Sequence, residues 1–242
     1  MKIYFNGCSQ VENGHLHLEQ DWQNKIWPKL IADSLSAEYR NDAISLSSNN
    51  RILRTTIDSV LEWNPDLVII GITAMDRVEL PMSNGDRCRI NPFHCNTDNG
   101  STQIDYFSYW YKTHYNEWLA FCDTLRILYE LQLISIVHKF RLLVFDAVCH
   151  NYFNDWQKLL EHSYFVKNKN ALWRTTEEQA KIRRMVEKIQ SLDWIIPQTT
   201  SLFSICKNNH WETDKFGHPA LSSQQKVADL FLDYIKQNVS SV

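Results

Sequence analysis

Three residues of the chain have the types needed for acyl transfer. Ser9 offers a hydroxyl nucleophile, His218 an imidazole base, and Asp214 a carboxylate to orient that base. Asp214 and His218 are close in sequence and Ser9 is some two hundred residues away, so only the fold can unite them. Two further polar stretches supply groups that could face a developing negative charge. One is Ser47-Ser48-Asn49-Asn50-Arg51 and the other Gly71-Ile72-Thr73-Ala74-Met75-Asp76-Arg77. Donors aimed at a carbonyl oxygen are what acyl transfer needs beyond the nucleophile and base.

Ser9 and both polar stretches follow strand signals in the chain. Residues 2–6 form a short apolar run that stops at Gly7, just before Ser9. Residues 67–72 (LVIIGI) form a continuous β-branched run, of the kind buried on both faces of a parallel sheet. Residues 141–148 (RLLVFDAV) read the same way, 38–46 reads as a weaker strand, and 194–196 is a short apolar run. Helical spacing of apolar residues predicts helices over 19–35, 51–63, 114–136, 153–163, 176–191 and 223–238. Ser222 and Gln225 have capping-box spacing at the start of the last one. Strands alternating with helices predict an α/β fold: a flavodoxin-like three-layer α/β/α sandwich with a parallel sheet. In such sheets, sites form beyond the carboxyl ends of the strands, where the polar stretches lie. The chain reads as a single domain over 1–242. An irregular segment at about 77–113, with Pro81, Gly85, Pro92 and Gly100, is too long for an ordinary connection and reads as a lid-like insertion.

The order and content of these blocks resemble the SGNH (GDSL-type) hydrolase family. Gly7-Cys8-Ser9 resembles the first block, with Ser9 in the nucleophile position. Ser47-Ser48-Asn49 resembles the second, where the family usually has a glycine whose N–H enters the oxyanion hole. Gly71-Ile72-Thr73 resembles the third, where the family has Gly-x-Asn. Asp214 to His218, with Pro219 following, resembles the last. The resemblance spans residues 2 to about 236. It implies a serine ester hydrolase with Ser9, His218 and Asp214 as its triad. Oxyanion or substrate-binding roles then fall to Ser47, Asn49, Thr73 and Arg77. It also implies a small ester or acylated carbohydrate substrate, and no cofactor or metal. Three positions depart from the family pattern. Ser47 replaces the glycine, Thr73 replaces the asparagine, and Asp214 and His218 are four residues apart instead of three. Asn49 or Asn50 could take over from the missing carboxamide.

Each residue also has a plainer reading. Ser9 could cap a helix, Thr73 could bond only backbone, and Asp146 with His150 could serve a turn after the fourth strand. Arg51, Arg54 and Arg77 could clamp an anionic substrate group or form ion pairs. Cys88, His94 and Cys95 lack a second pair of ligands at zinc spacing. Phe93, Tyr106, Phe107, Tyr109, Trp110 and Tyr111 could line a carbohydrate or acyl site, or simply fill the insertion's own small core. Lys181, Arg183, Arg184 and Lys188 read as a solvated helix face.

Composition narrows the classes. The 242 residues are 44% apolar and 22% charged, which excludes a disordered chain. A net charge of −3 provides no global attraction for nucleic acid. No apolar run reaches the roughly 18 residues of a membrane span. Residues 1–10 do not have a signal-peptide pattern, so the expectation is a cytoplasmic protein or part of a larger assembly. The six scattered cysteines read as free thiols. The alternative to an enzyme is an SGNH-fold structural or binding module, for instance of a virion, in which the altered oxyanion blocks mark lost catalysis.

Overall fold

The computed structural model describes residues 1–17, 19–81, 87–90, 109–110, 113–115, 117–148, 176–197 and 200–239. Five strands form its central sheet: β1 (Lys2–Asn6), β2 (Glu38–Asn41), β3 (Leu67–Ile72), β6 (Arg141–Asp146) and β7 (Asp193–Trp194). Their order is β2-β1-β3-β6-β7, and every neighbouring pair is parallel. A separate antiparallel hairpin, β4 (Val78–Pro81) and β5 (Arg87–Ile90), lies within the segment expected to be inserted. The helices are α1 (Ser9–Glu12), α2 (Trp27–Ser34), α3 (Asn49–Trp63), α4 (Glu117–His138), α5 (Thr176–Gln190), α6 (Leu202–Asn208) and α7 (Leu221–Asn238).

Strand alternation makes this a three-layer α/β/α sandwich. Tyr4, Val68, Ile70, Leu142 and Val144 face one side and pack with apolar residues of α3, α4 and α5. Ile3, Phe5, Ile69, Leu143 and Phe145 face the other and pack with α2, α6 and α7. All ten strand residues are 6% exposed or less. Burial of each such side chain stabilises the fold by roughly 1.5–3 kcal/mol. The chain leaves β1 outward to β2, then returns to β3 on the other side of β1. That reversal opens a crevice at the carboxyl ends of β1 and β3.

Two glycines set how closely the loop after β1 approaches the sheet. A Cβ on Gly7 would lie 2.5 Å from Val11 Cγ2, and one on Gly71 would lie 2.7 Å from Phe145 Cζ and 2.8 Å from Val11 Cγ2. Only glycine lets α1 rest on the ends of β1 and β3. Trp27 of α2 holds α1 from the other side. Its ring meets Phe5 edge-on at 5.7 Å and Phe145 at 5.9 Å, and its Nε1 donates to the Gln10 carbonyl at 2.9 Å.

Several element boundaries differ from expectation. The helix expected over 19–35 is a 3₁₀ turn at Trp22–Asn24 followed by α2. Pro28 explains the restart: lacking an N–H, it fits the first turn of a helix and not its interior. The strand expected over 38–46 ends at Asn41, whose side chain accepts from the Ala43 N–H at 3.1 Å and turns the chain away. The strand expected over 141–148 ends at Asp146, whose carboxylate accepts from the Val148 N–H at 3.1 Å. The expected capping box does not form. Ala220 is the N-cap of α7, and Ser222 donates instead to Glu212 at 2.5 Å. Helix α6 was not foreseen; Ser201 caps it by accepting from the Ser204 N–H. The helix expected over 153–163 lies outside the described residues. No helix among the described residues is long and apolar enough to cross a membrane.

Candidate active site

Ser9 is the first residue of α1, directly beyond β1. Cys8 is the N-cap and makes no side-chain capping bond, so the Ser9 hydroxyl is not spent on capping. It lies instead 2.8 Å from His218 Nε2. Ser9 is 8% exposed, buried but reachable. The other imidazole nitrogen, Nδ1, lies 2.8 Å from Asp214 Oδ2. With Nδ1 protonated and donating to Asp214, Nε2 is free to accept from the Ser9 hydroxyl.

Asp214 and His218 sit on one tight turn between α6 and α7. Asp214 Oδ1 accepts from the Phe216 N–H at 2.8 Å and the His218 N–H at 2.9 Å. The Asp214 N–H donates to the His218 carbonyl, and the Gly217 N–H to the Asp214 carbonyl. The residue added relative to the family spacing is accommodated at Gly217, whose φ of +80° is in the left-handed region. A side chain is excluded there, because a Cβ would lie 2.0 Å from the Phe203 ring. Burial raises the Asp214 pKa, but hydrogen bonds from the His218 side chain and from backbone N–H groups outweigh it. The carboxyl is therefore held below the usual carboxylate range.

Sequence reasoning missed the groups that hold this turn against α1. His15 stacks on His218 with centroids 4.8 Å apart and planes 24° from parallel. Its Nε2 lies 3.1 Å from the Pro219 carbonyl, which also accepts from Gln224 Nε2 at 2.7 Å. Gln224 Nε2 reaches Asn13 as well, and its Oε1 accepts from the Trp27 N–H. Gln10, next to Ser9, donates to the Gly217 carbonyl at 3.2 Å. Burial lowers the His15 pKa, which favours the neutral ring, and a proton on Nε2 would donate to the Pro219 carbonyl. A glutamine and a histidine inside helical or loop stretches carry no motif, so no sequence signal marked them. His15, Asp214 and His218 place three potential ligand atoms within 4.8 Å of one another. Both His218 nitrogens already have partners in Ser9 and Asp214, so the arrangement suits proton transfer.

Ser9 is braced from beneath by a buried polar network. Asn6 Oδ1 accepts from the Gly7 N–H at 2.8 Å, and Asn6 Nδ2 reaches Tyr4, Ile52, Thr55 and Thr56. Asp42 accepts from Tyr4 at 3.1 Å and from Ser59 at 2.5 Å. Burial pushes the Tyr4 phenol far up, so it stays neutral and donates. Glu12, at the other end of α1, accepts from the N–H and hydroxyl of Ser45 and ties α1 to the loop after β2.

The expected oxyanion residues divide. The Ser47 N–H donates to the Ile44 carbonyl at 3.1 Å and its hydroxyl to the same atom at 2.7 Å. Both donors are thus taken by a turn, which corrects the expectation that the Ser47 N–H faces the substrate. Asn49 is likewise engaged. Its Oδ1 accepts from the Thr73 N–H at 2.9 Å, and its Nδ2 donates to the Thr73 carbonyl at 3.1 Å and reaches Thr124 at 3.3 Å. It clamps the end of β3 to the start of α3. Asn50 Nδ2 donates to Asp123 at 2.6 Å. Thr73 is fully buried, and its hydroxyl has no partner among the described residues. The backbone N–H groups of Ser9 and Ser48 also find no acceptor among the described residues. Arg51 donates to the Asp42 carbonyl and to Ser47, and Arg54 holds Glu79 at 3.0 Å, so both serve structure. Arg77 Nη1 is buried without an acceptor among the described residues.

Arg77 and Asn49 line a cleft of about 680 Å³, together with Glu79, Trp110 and Tyr115 among others; Ser9 and His218 are not in its wall. Cys8, Cys122 and Cys206 are free thiols, and burial raises the Cys206 thiol to about 11. The side chains of Cys88, His94, Cys95, Phe93, Tyr106, Phe107, Tyr111, Cys149 and His150 lie outside what is described.

The architecture is a three-layer α/β/α sandwich shared with solved esterase structures. No protein-family model matches the chain, and no curated protein matches it in sequence. Solved structures match it over nearly its whole length. TesA has a TM-score of 0.54 at 13% identity, covering 98% of this chain and 99% of its own. The psychrotrophic esterase EstA from Pseudoalteromonas sp., in a structure inhibited by monoethylphosphonate, gives 0.53 at 13%, with 99% of each chain covered. The acetyl xylan esterase AlAXEase gives 0.51 at 14%, covering 97% of this chain and 100% of its own. At these identities the likeness is one of fold.

Proposed function

We propose that the chain is a serine ester hydrolase in which Ser9, His218 and Asp214 act as a triad. The observation that carries this is the unbroken relay from the Ser9 hydroxyl through His218 to Asp214, with both contacts at 2.8 Å. In the first half-reaction the Ser9 Oγ attacks the ester carbonyl while His218 Nε2 takes its proton. Asp214 steadies the imidazolium through Nδ1–H. The tetrahedral intermediate collapses, His218 returns the proton to the leaving alcohol, and an acyl-Ser9 ester remains. Water then attacks with His218 again as base, releasing the acid and restoring Ser9. His15 keeps the imidazole in plane by stacking, and its Nε2–H holds the Pro219 carbonyl.

The oxyanion would be met by the Ser9 N–H and the Thr73 hydroxyl, which have no partners among the described residues at the ends of β1 and β3. Ser48 N–H, at the N-terminus of α3, is a third candidate. Ser47 and Asn49 are spent elsewhere, and each missing donor typically costs about 10²–10³ in rate. Turnover is therefore expected to be slow. The fold-neighbours EstA and AlAXEase are named as esterases, the latter for acetyl xylan, which supports a short acyl group on a carbohydrate or small ester. Arg77, Glu79 and Trp110, which line the cleft, come from the stretch read as an insertion.

The reduced donor set favours one second reading, a binding module of a larger assembly that keeps the relay without using it. A fluorophosphonate probe separates the two, because its phosphorus reacts only with an activated serine. The expected result is labelling that Ser9→Ala abolishes, with p-nitrophenyl acetate hydrolysis falling about 10³-fold or more. A folded wild-type protein that neither labels nor hydrolyses the ester would refute the enzyme.

A further inference from the structure

The cleft beside β3 carries an imbalance of charge. Its ionic wall residues are Arg77, Glu79, His114, Asp123 and Arg126. Both carboxylates are already matched. Glu79 accepts two hydrogen bonds from Arg54, at 3.2 and 3.0 Å, and its side chain is only 6% exposed. Asp123 accepts from Arg126 at 2.7 Å and from Asn50 at 2.6 Å. Arg126 is matched in turn, by Asp123 and Glu130. Arg77 is different: its Nη1 is removed from solvent, and it meets no acceptor among the described residues. A guanidinium is always charged and heavily penalised when a buried N–H is left unmade. Its flat array of donors matches the two oxygens of a carboxylate.

The position of Arg77 connects this charge to the reaction. It follows Thr73 by four residues on the loop that leaves β3, and its N–H bonds the Ala74 carbonyl at 3.1 Å. Asn49, which clamps both the N–H and the carbonyl of Thr73, is itself a wall residue of the cleft. The cleft thus abuts the clamp that Asn49 makes on the end of β3, next to the residue proposed as oxyanion donor. Trp110 and Tyr115 offer aromatic surface on the same wall.

We propose that the cleft receives the part of the substrate remote from the reacting carbonyl, and that Arg77 binds a carboxylate there. The enzyme would then select esters bearing a carboxylate over neutral ones. This rests on the reading of Ser9 as nucleophile only for its kinetic arm.

The test uses mono-p-nitrophenyl esters of linear dicarboxylic acids, from four to eight carbons, against their methyl-capped neutral analogues. The expected result is a kcat/KM preference of tenfold or more for the free acid at one or two chain lengths. The preference should sit in KM, weaken in added salt, collapse toward one in Arg77→Gln and return in part in Arg77→Lys. Binding is measured separately by calorimetry on Ser9→Ala, which cannot turn over, with free dicarboxylates and with inorganic phosphate. Dicarboxylate affinity lost in the Ser9→Ala, Arg77→Gln double variant supports the site even if no ester is hydrolysed, in which case only the hydrolase reading fails. A preference near one at every length, or one unchanged in a folded Arg77→Gln protein, overturns the proposal. So does tighter binding of phosphate than of any dicarboxylate.

Discussion

Replacing Gly217 with alanine tests how the turn carrying Asp214 and His218 is held. The new Cβ would sit 2.0 Å from Phe203 Cε2 and 2.3 Å from Cδ2, on backbone at φ +80°. The left-handed conformation costs an alanine about 1–2 kcal/mol. Forcing the Phe203 ring aside adds about 1–3 kcal/mol of overpacking. The sum, roughly 2–5 kcal/mol, corresponds to a fall in Tm of roughly 5–15 °C for a chain of this size. The displaced turn also moves His218 from Ser9, because the Gly217 carbonyl is the acceptor for Gln10 and its N–H is bonded to the Asp214 carbonyl. Fluorophosphonate labelling, assayed well below the lowered Tm, should slow at least tenfold. Phe203→Ala makes room for the methyl but leaves the backbone penalty. The double variant should therefore label faster than Gly217→Ala while Gly217→Ala still costs about 1–2 kcal/mol in the Phe203→Ala background. A Gly217→Ala protein that melts within about 1 °C of wild type would refute the account of the turn, whatever Ser9 does.

Two further outcomes follow from the same geometry. Asn49→Asp keeps an acceptor for the Thr73 N–H but turns an oxygen toward the Thr73 carbonyl; urea unfolding should show a loss of about 1–3 kcal/mol, and a loss under about 0.5 would mean the clamp is not structural. Asp214 has a folded pKa below its unfolded one, so its contribution to stability is full above the ordinary carboxylate range and disappears as pH falls through the folded value. The gap in urea midpoint between wild type and Asp214→Asn should therefore be widest above about pH 5 and narrow with acidification, whereas a gap that widens on acidification would reverse the assigned sign.

The parts of this fold that were legible in sequence are those set by local pattern. The run 67–72 is strand from its first residue to its last, because β-branched residues buried on both faces leave no other periodicity. Ser9 and Thr73 stood out because each comes just after a strand, and Asp214 because it lies on the approach to a long amphipathic helix. What escaped was set by partners distant in sequence. His15 and Gln224 meet at the Pro219 carbonyl across about two hundred residues, and neither has a neighbour that announces it. Ser47 was misread for a related reason. Its block has the right content, but Leu46 at φ +65° folds the loop so that the Ser47 N–H points back to Ile44. A substituted glycine changes not only which side chain is present but where the backbone donor points.

That substitution bears on the proposed function more than the Ser9–His218–Asp214 relay does. Attack by a serine requires a nucleophile and a base, and the 2.8 Å contacts through His218 provide the geometry for both. Fast turnover also requires that the charge moving onto the carbonyl oxygen find donors already in place. Here the two demands come apart. The relay is braced by His15, Gln10 and Gln224, and by the Asn6 network beneath it, whereas the side chain nearest in type to a carboxamide donor, Asn49, is fixed to backbone. A phosphonate forms a stable adduct after a single attack, so labelling reads mainly the relay. An ester needs two rounds of oxyanion formation per turnover, so hydrolysis reads the donors as well. The protein is therefore expected to label readily and turn over slowly. Substituting Thr73 with valine should depress hydrolysis about 10²-fold while slowing labelling far less. Equal losses in both assays would mean that the Thr73 hydroxyl supports Ser9 itself and is not a donor to the oxyanion.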